Sequence, residues 1–214
     1  MEQRSDAWFA ARLGKATASR ISDIMARTKT GYSASRANYM AQLVVERLTN
    51  RKEESYTNAA MQWGTETEPL ARSAYEVAKD VLVQEVGFID HPEINMSGAS
   101  PDGLVGDDGM VEIKCPGTAT HIETLLNDTV DGKYQYQMLW QMRCAGRKWC
   151  DFVSFDPTLI SGSQWTTMTP YPGNGDYEES AAALNGFGRE SGLCVWQRGG
   201  RGERRSDSSI RWLY

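Results

Sequence analysis

Residues 100–114 have the sequence SPDGLVGDDGMVEIK, and this stretch decides the fold. Asp107-Asp108-Gly109 is a tight-turn signal, and residues 110–114 after it favour a β-strand. The stretch is therefore predicted to form a β-hairpin. Asp102 lies at the end of its first arm, and Glu112 lies in its second arm.

Glu112 and Lys114 are predicted to share one face of the second arm, because side chains alternate along a strand. Taken alone, such a triplet most often turns its charges to water while Val111 and Ile113 pack inward. Asp102 alters this interpretation, since neighbouring arms lie about 5 Å apart and its carboxylate should approach that of Glu112. Two carboxylates so placed repel each other unless a cation lies between them or one is protonated.

The converging groups predict a site for a hard divalent cation. The candidate ligands are oxygens, from Asp102, Glu112 and the backbone carbonyl of Ile113, and they suit Mg²⁺ or Mn²⁺ better than zinc. A metal site beside a lysine such as Lys114 is suited to phosphodiester hydrolysis. The ion activates water there, and the ammonium group orients the nucleophile or stabilises the charged phosphate.

Helical patterns dominate the residues before the hairpin. A first helix is predicted to begin after Ser5 and to end near Leu13, and a second is predicted to follow residues 17–19. A longer helix over residues 35–49 is predicted to bury one face, which consists of Met40, Leu43, Val44 and Leu48. Residues 58–79 are again helical in pattern, but Pro69 disfavours helical geometry at the preceding residue and predicts a kink or a restart.

Strands and helices alternate around the hairpin. Strands are predicted at residues 81–83, 86–89 and 149–155, with helices between the hairpin and the last strand. Tyr134, Met138 and Met142 form the predicted core stripe of one of these helices, and Trp8 and Trp63 are also predicted to pack in the core. This order predicts an α/β (α+β) fold around one central sheet, with a helical first third.

Length and charge limit what the chain can be. Its 214 residues suit a single domain, which is predicted over residues 1–157. The net charge of −5 offers no overall attraction to nucleic acid, so such a partner would be held by a local basic patch or through metal ions. Neither a membrane-length apolar run nor a secretory signal is visible, so we expect a soluble, cytoplasmic protein without a membrane partner.

The cysteines and histidines do not have the spacing of a metal site. The cysteines lack a CxxC pair and are too few for a disulfide scaffold, so we expect reduced thiols at Cys115, Cys144, Cys150 and Cys194. His91 and His121 are isolated in the sequence. Isolated histidines are more typical of hydrogen-bonding groups than of metal ligands.

Residues 158–214 differ in composition from the rest of the chain. They contain nine of the 20 glycines and no lysine, and residues 197–205 show no apolar periodicity. A short strand is predicted near residues 163–168, and the remainder is predicted to be a flexible Gly/Arg-rich tail. An Arg/Gly segment can also bind nucleic acid, and this alternative stays open.

Six sequence blocks follow one another in an order that is typical of one nuclease family. They are Trp8-x-x-x-Arg12-x-Gly14-x-x-Thr17-Ala18-Ser19, Trp63-Gly64 with Glu68, Ser100-Pro101-Asp102-Gly103-Leu104, Glu112-Ile113-Lys114-Cys115-Pro116, Tyr134-x-x-Gln137 and Phe155-Asp156-Pro157. Over roughly residues 4–157 they resemble the lambda-exonuclease or YqaJ-type viral recombinase branch of the PD-(D/E)xK nuclease superfamily. The resemblance implies a restriction-endonuclease-like mixed sheet flanked by helices.

The resemblance also implies a role for each matching residue. Asp102 and Glu112 would bind Mg²⁺, for which Mn²⁺ would substitute, together with the Ile113 carbonyl. Lys114 would assist the nucleophile, Glu68 would support the metal-bound water, and Gln137 would complete the site. The 5′-terminal phosphate of DNA would be held by a group of four residues, Arg12, Thr17, Ser19 and Ser100.

The activity implied by the resemblance is that of a 5′→3′ exonuclease. It would degrade one strand of linear double-stranded DNA and leave 3′ overhangs for phage-type recombination. The implied setting is a homotrimeric ring around the DNA, working with a single-strand annealing protein in a bacterial cell that carries the phage or prophage. Residues 158–214 lack the helical pattern that ends such proteins, so we expect a truncated, shifted or divergent tail.

Simpler interpretations of the same residues remain open. Arg12 would be favoured at any helix C-terminus, Ser19 would serve as an N-cap, and Glu68 would face solvent. Gln137 and Gln141, spaced i, i+4, would only flank the core stripe. The same site would also suit a structure- or sequence-specific endonuclease or, if inactive, a module that binds DNA ends.

Overall fold

The computed structural model describes residues 1–52, 58–127, 130–159 and 193–199. Short 3₁₀ turns occupy Ala18–Arg20 and Pro157–Leu159. The other elements, in chain order, are α1 (Asp6–Arg12), β1 (Ala16–Thr17), α2 (Ile21–Met25), β2 (Arg27–Thr28), β3 (Gly31–Tyr32), α3 (Ala34–Thr49), α4 (Ala59–Lys79), β4 (Val83–Gln84), β5 (Ile89–Asp90), β6 (Ser97–Ala99), β7 (Gly103–Val105), β8 (Gly109–Lys114), α5 (Thr118–Asn127), α6 (Gly132–Ala145), β9 (Trp149–Phe155) and β10 (Leu193–Gly199).

The main sheet of the described residues has five strands in the order β10-β9-β8-β7-β4. β7 and β8 pair antiparallel around residues 106–108, so the predicted hairpin is confirmed. β8 pairs parallel with β9 and places Glu112 opposite Phe152, a pairing that needs the long crossover supplied by α5 and α6. The sheet is therefore mixed and flanked by helices, and the predicted α/β (α+β) fold is confirmed.

A smaller sheet links the first helices to the hairpin. It has the order β1-β6-β5, and β1 runs parallel to β6 with Thr17 opposite Gly98. β6 continues through Ser100 and Pro101 into β7. The chain around α1 is thus held beside the start of the hairpin.

Both faces of β8 are buried. Val111 and Ile113 pack with Ala71 and Tyr75 of α4 on one side of the main sheet. On the other side, the predicted core stripe of α6 packs against the sheet through Met138, Met142 and Tyr134. Glu112 lies on the α6 side and is 0% exposed, so the alternative in which it faces water is wrong.

The predicted buried face of α3 is wrong. Met40 is 63% exposed and Leu48 is 82% exposed, whereas the buried residues of the helix are Tyr39 and Glu46. These two side chains hold the chain that follows α1 through polar contacts. Apolar periodicity identifies residues of like character, but it does not show which face meets the rest of the fold.

The helix predicted over residues 58–79 forms as α4, one continuous helix that contains Pro69. The predicted restart is therefore wrong, and the alternative of a kink stays a prediction. Its buried residues are Thr67, Ala71 and Tyr75, which share one face at i, i+4 and i+8. Trp63 lies 37% exposed, so its predicted core packing is wrong. The contact of α4 with the core lies further along the helix, at Ala71 and Tyr75.

Residues 193–199 form β10, which pairs antiparallel with β9 along all seven residues. The prediction of flexibility outside residues 163–168 is therefore wrong for this segment, because a local sequence pattern does not reveal the edge of a distant strand. The short strand predicted near residues 163–168 lies outside the described residues. The extent of the domain over residues 1–157 stays a prediction.

The structure bears on the expectations about the cysteines and about membrane-spanning helices. Cys115, Cys144 and Cys150 are free and buried, in keeping with the predicted reduced thiols. In the described ranges, no helix is both long enough and apolar enough to cross a membrane.

Candidate active site

The hairpin brings Asp102 and Glu112 to the same place, as predicted. Asp102 directly precedes β7, and its Oδ2 accepts a hydrogen bond of 2.7 Å from the backbone N–H of Ile113 in β8. This contact fixes the carboxylate of Asp102 across the hairpin, next to the strand that carries Glu112 and Lys114. The predicted relationship between the two arms is therefore present in the fold.

The ammonium group of Lys114 lies where the predicted metal ligands converge. It pairs closely with Oε1 of Glu112, donates to the carbonyl oxygen of Ile113 at 3.1 Å, and lies 3.9 Å from Oδ2 of Asp102. These three oxygens are the same three that the sequence suggested as ligands. A positive charge is thus favoured at this point, and the lysine ammonium takes the place of such a charge.

Two amides of α6 hold the buried carboxylate of Glu112. Nε2 of Gln137 donates to Oε1 at 2.5 Å, and Nε2 of Gln141 donates to Oε2 at 2.7 Å. The alternative in which these glutamines only flank the core stripe is therefore wrong. Gln141 was not predicted as a site residue, although its i, i+4 spacing from Gln137 was the available signal.

The electrostatics of the pair favour a cation. Burial, followed by the charge of Glu112, raises the pKa of Asp102 to about 8, while Lys114 acts in the opposite direction. Burial opposes the charged form of Lys114, but the charges of Glu112 and Asp102 raise its pKa above the ordinary value. The carboxyl group of Asp102 is therefore costly to ionise beside Glu112 unless positive charge lies close by.

Within the described part of the chain, no three His, Cys, Asp or Glu side chains gather as a metal cluster. The candidate ligands are instead two carboxylates and a backbone carbonyl, which is a hard oxygen set that fits Mg²⁺ or Mn²⁺. His91 and His121 are buried hydrogen-bonding groups, as expected. Nδ1 of His91 accepts from two backbone N–H groups, and Nδ1 of His121 pairs with the Ser154 hydroxyl at 2.7 Å.

Glu68 forms no hydrogen bond with Asp102 or Glu112 and affects Asp102 through its negative charge. Its Oε2 accepts from Arg4 at 2.7 Å, and its Oε1 accepts from Arg72 at 2.9 Å. Its negative charge is among the smaller causes that raise the pKa of Asp102. Glu68 is thus held beside the hairpin by two arginines, and the alternative of a solvated side chain is wrong.

Arg12 and Ser100 meet two residues before Asp102. Nη1 of Arg12 and Nε1 of Trp8 both donate to Oγ of Ser100, at 3.0 and 2.9 Å, and the guanidinium lies 4.1 Å from the centre of the Trp8 ring. Burial lowers the pKa of Arg12, and no carboxylate among the described residues forms an ion pair with it. Because both acceptor positions of Ser100 are used, its own proton is available to an incoming acceptor.

Thr17 and Ser19 lie on the chain beside this pair. The backbone N–H of Thr17 donates to the Tyr39 hydroxyl at 3.0 Å, and the hydroxyls of Thr17 and Ser19 are 3.4 Å apart. Ser19 is exposed and lies inside a 3₁₀ turn that begins after Thr17, so the N-cap alternative for Ser19 is wrong. The structure describes no direct contact from either hydroxyl to Arg12 or Ser100.

The chain after Arg12 is held from both sides by α3. Glu46 accepts from the backbone N–H of Gly14 at 2.9 Å, and Arg47 donates to the carbonyl of Gly14 at 2.7 Å. Gly14 has φ +67°, a conformation in which a side chain would also collide with Arg47. The glycine is therefore required for this close approach.

Comparison with known protein families gives a match that covers these residues. Residues 7–148 match the model of the YqaJ-like viral recombinase domain. All of the site residues predicted from the sequence fall inside this span. The sequence has no significant match among curated proteins.

Solved structures resemble this chain along most of its length. A structure of LHK-Exo in complex with dAMP is 57% identical, with a TM-score of 0.67, covering 72% of this chain and 75% of that chain. An alkaline exonuclease (LHK-Exo) from Laribacter hongkongensis is 48% identical, with the same TM-score of 0.67, covering 85% and 90%. A phage-related exonuclease from Haemophilus somnus 129PT is 14% identical, with a TM-score of 0.54 and coverage of 82% and 92%, and its likeness concerns the fold alone.

Proposed function

We propose that this chain, which belongs to the YqaJ-like viral recombinase domain family, is a metal-dependent DNA exonuclease. It degrades one strand of linear duplex DNA in the 5′→3′ direction and leaves 3′ overhangs for phage-type recombination. Its 48% identity to an alkaline exonuclease over 85% of this chain supports the activity. The observation that carries the proposal is the convergence of three oxygens, from Asp102, Glu112 and Ile113, on one position that holds a positive charge.

Mg²⁺ is the proposed cofactor, and we expect Mn²⁺ to replace it. Asp102, Glu112 and the Ile113 carbonyl would hold the ion, because they offer the hard oxygen atoms that such ions prefer. When bound, the ion neutralises charge on the phosphate and lowers the pKa of water. Lys114 supplies an ammonium group that stabilises the negative charge developing on the phosphate.

The remaining residues of the site orient these groups. Gln137 and Gln141 fix the carboxylate of Glu112, so that its oxygens face one point before any ligand binds. Glu68 is the proposed group that orients the attacking water, and its two arginine partners hold it in place. Rate acceleration depends on such preorganisation, because the dipoles then need no rearrangement during the reaction.

The 5′ end of the DNA is proposed to bind beside Ser100. Arg12 offers a charged group that has no carboxylate partner in the part of the chain that the structure describes, and the Ser100 hydroxyl can donate its proton, which together suit a terminal phosphate. Thr17 and Ser19 would contribute further hydroxyls from the neighbouring chain. Because Ser100 lies two residues before Asp102, a phosphate bound there would lie close to the group that supports hydrolysis, and this would favour cleavage from this end.

Nucleotide release from defined DNA ends tests this function. We expect Mg²⁺-dependent release of nucleotides from linear duplex with a 5′ phosphate, slower release with a 5′ hydroxyl, and none with a blocked end or with Ca²⁺. The variant Asp102→Ala should abolish release. Asp107→Ala, which alters an exposed carboxylate in the turn of the same hairpin, should leave release unchanged.

Each alternative predicts a different result in this experiment. Cleavage of closed circular DNA would favour the endonuclease, since that substrate has no end. Binding of linear duplex without release of nucleotides under any metal would favour the inactive end-binding module. Release that survives Asp102→Ala would contradict the proposed site.

Assembly, partner and location are part of the same proposal. We propose a homotrimeric ring around linear double-stranded DNA, an annealing protein that takes the 3′ overhang, and action in the cytoplasm of a bacterial host of the phage or prophage. The solution mass tests the ring. A monomer at micromolar concentration would contradict it.

A further inference from the structure

The segment before α1 is tied to two separate parts of the site. The side-chain amide of Gln3 donates to the carbonyl of Pro101 at 2.7 Å and to the carbonyl of Val86 at 2.8 Å. The next residue, Arg4, donates to Glu68 at 2.7 Å. Pro101 precedes Asp102, and Glu68 lies on α4, so two consecutive side chains connect the hairpin to that helix.

Arg4 holds this position with an uncommon backbone conformation. Its φ is +67°, in the left-handed region that residues other than glycine seldom adopt. Such conformations persist when surrounding contacts impose them, and they are often found at functional sites. Here the imposing contacts are those of Gln3 and Arg4 themselves, which span sequence separations of 64 to 98 residues.

The same segment continues into the helix that carries the proposed phosphate-binding residues. Ser5 caps α1 by accepting from the backbone N–H of Trp8 at 3.3 Å, and α1 presents Trp8 and Arg12 to the Ser100 hydroxyl. Residues 3–5 therefore contact Glu68 and the carbonyl that precedes Asp102, and they lead directly into the helix that carries Arg12. Gln3 and Arg4 precede the span that the family model matches.

We infer that Gln3 and Arg4 are positioning residues that set the separation between the phosphate-binding pair, Arg12 with Ser100, and the carboxylates of Asp102 and Glu112, with Glu68 of α4 beside them. In an exonuclease this separation determines which phosphodiester bond is cut relative to the terminal phosphate. The inference rests on the proposed function and names a determinant of its product length. Neither residue takes part in the chemistry.

The test compares three variants with the wild-type protein. Arg4→Gly removes the guanidinium, and glycine adopts the positive φ of this position without strain, so the variant is expected to fold. Arg4→Lys keeps the positive charge, and Gln3→Ala removes the bond to Pro101. Arg143→Ala is the control, because it breaks an exposed Arg–Glu pair, with Glu93, away from the hairpin.

Four quantities are measured with linear duplex that carries a 5′ phosphate. They are kcat at saturating DNA, KM, the ratio of dinucleotide to mononucleotide products, and the affinity for the duplex end in Ca²⁺ by fluorescence anisotropy. We expect Arg4→Gly to lower kcat about 10-fold, because small misplacements of reacting groups are costly. It should also raise the dinucleotide share, with KM and Ca²⁺-supported affinity within about twofold of wild type.

The other variants complete the expected pattern. Arg4→Lys should recover part of kcat and of the mononucleotide product, Gln3→Ala should resemble Arg4→Gly more weakly, and Arg143→Ala should match wild type. An Arg4→Gly enzyme with unchanged kcat and product length would overturn this inference alone. Equal losses in Arg4→Gly and Arg143→Ala would overturn it as well, whereas a wild-type protein without nuclease activity would overturn the proposed function beneath it.

Discussion

Gln141 donates a hydrogen bond of 2.7 Å to Oε2 of Glu112, and both residues are entirely removed from solvent. One helical turn earlier, Gln137 donates to the other oxygen of the same carboxylate. A buried carboxylate held by two neutral amides has its direction fixed, but its charge is only partly offset. The Lys114 ammonium, which pairs with Oε1 of Glu112, supplies the remaining positive charge.

Replacing Gln141 with leucine should weaken the fold. The change removes one donor from a fully buried carboxylate, and we expect the free energy of unfolding to fall by about 1–3 kcal/mol. Urea denaturation measures it. The control is Gln62→Leu, which breaks an exposed pair with Glu66 on α4 and should cost less than about 0.5 kcal/mol. Equal effects of the two variants would show that the bond to Glu112 contributes nothing particular.

Replacing Lys114 with methionine should make stability depend on a divalent ion. Without metal, Asp102 and Glu112 lose the positive charge between them, and we expect unfolding to be easier by about 2 kcal/mol. Binding to the folded state alone raises stability, so Mg²⁺ should raise the Tm of this variant more than that of wild type. Lys148→Met, which breaks the exposed pair with Asp108, is the control. An equal response to Mg²⁺ in all three proteins would contradict a shared cation position.

The hairpin and its carboxylates could be predicted from the sequence because the interaction is local. Asp102 and Glu112 are joined by one tight turn, and alternation along β8 decides which side chains share a face. No comparable local rule connects Glu112 with Gln141, which comes from a crossover helix. That contact depends on the parallel pairing of β8 with β9, which brings α6 back over the sheet.

The features that sequence patterns missed involve partners distant in the chain. The apolar residues of α3 follow helical spacing, yet the helix is attached through Tyr39 and Glu46 to backbone groups near Gly14 and Thr17. β10 pairs with the edge of β9, which lies about 40 residues earlier in the chain. The seven residues of β10 do not by themselves indicate with which strand they will pair. In both cases the element is held by contacts with residues distant in the sequence, and local periodicity does not predict such contacts.

A buried carboxylate on the opposite face of the sheet should shape the pH dependence of stability. Asp151 accepts from the Tyr75 hydroxyl at 2.9 Å and lies 3.6 Å from the Lys79 ammonium, and burial raises its pKa despite these partners. The folded state therefore holds this proton more tightly than the unfolded state does. Its contribution is complete below the ordinary pKa of about 4 and is lost as pH rises through the raised value.

The variant Asp151→Asn isolates this effect. It keeps an acceptor for Tyr75 and cannot ionise, so its stability relative to wild type should rise as the pH is raised from 4 to 7. Denaturation at several pH values gives the difference. The opposite trend, in which the stability of the variant relative to wild type falls as pH rises, would mean that the ion pair with Lys79 outweighs the effect of burial.

Replacing Arg12 with glutamine should separate recognition of the DNA end from catalysis. Arg12 has no carboxylate partner among the described residues and shares Ser100 with Trp8, so a terminal phosphate would supply its missing counter-charge. Loss of one charge-assisted contact costs about 1.5–3 kcal/mol. We therefore expect KM for duplex with a 5′ phosphate to rise at least about 10-fold, with kcat at saturating DNA within about threefold of wild type. Arg143→Gln serves as the control, since that arginine already pairs with Glu93. If Arg12→Gln reduces activity equally on 5′-phosphate and 5′-hydroxyl ends, the residue stabilises the fold around Ser100 rather than the phosphate, and the direction of digestion requires another explanation.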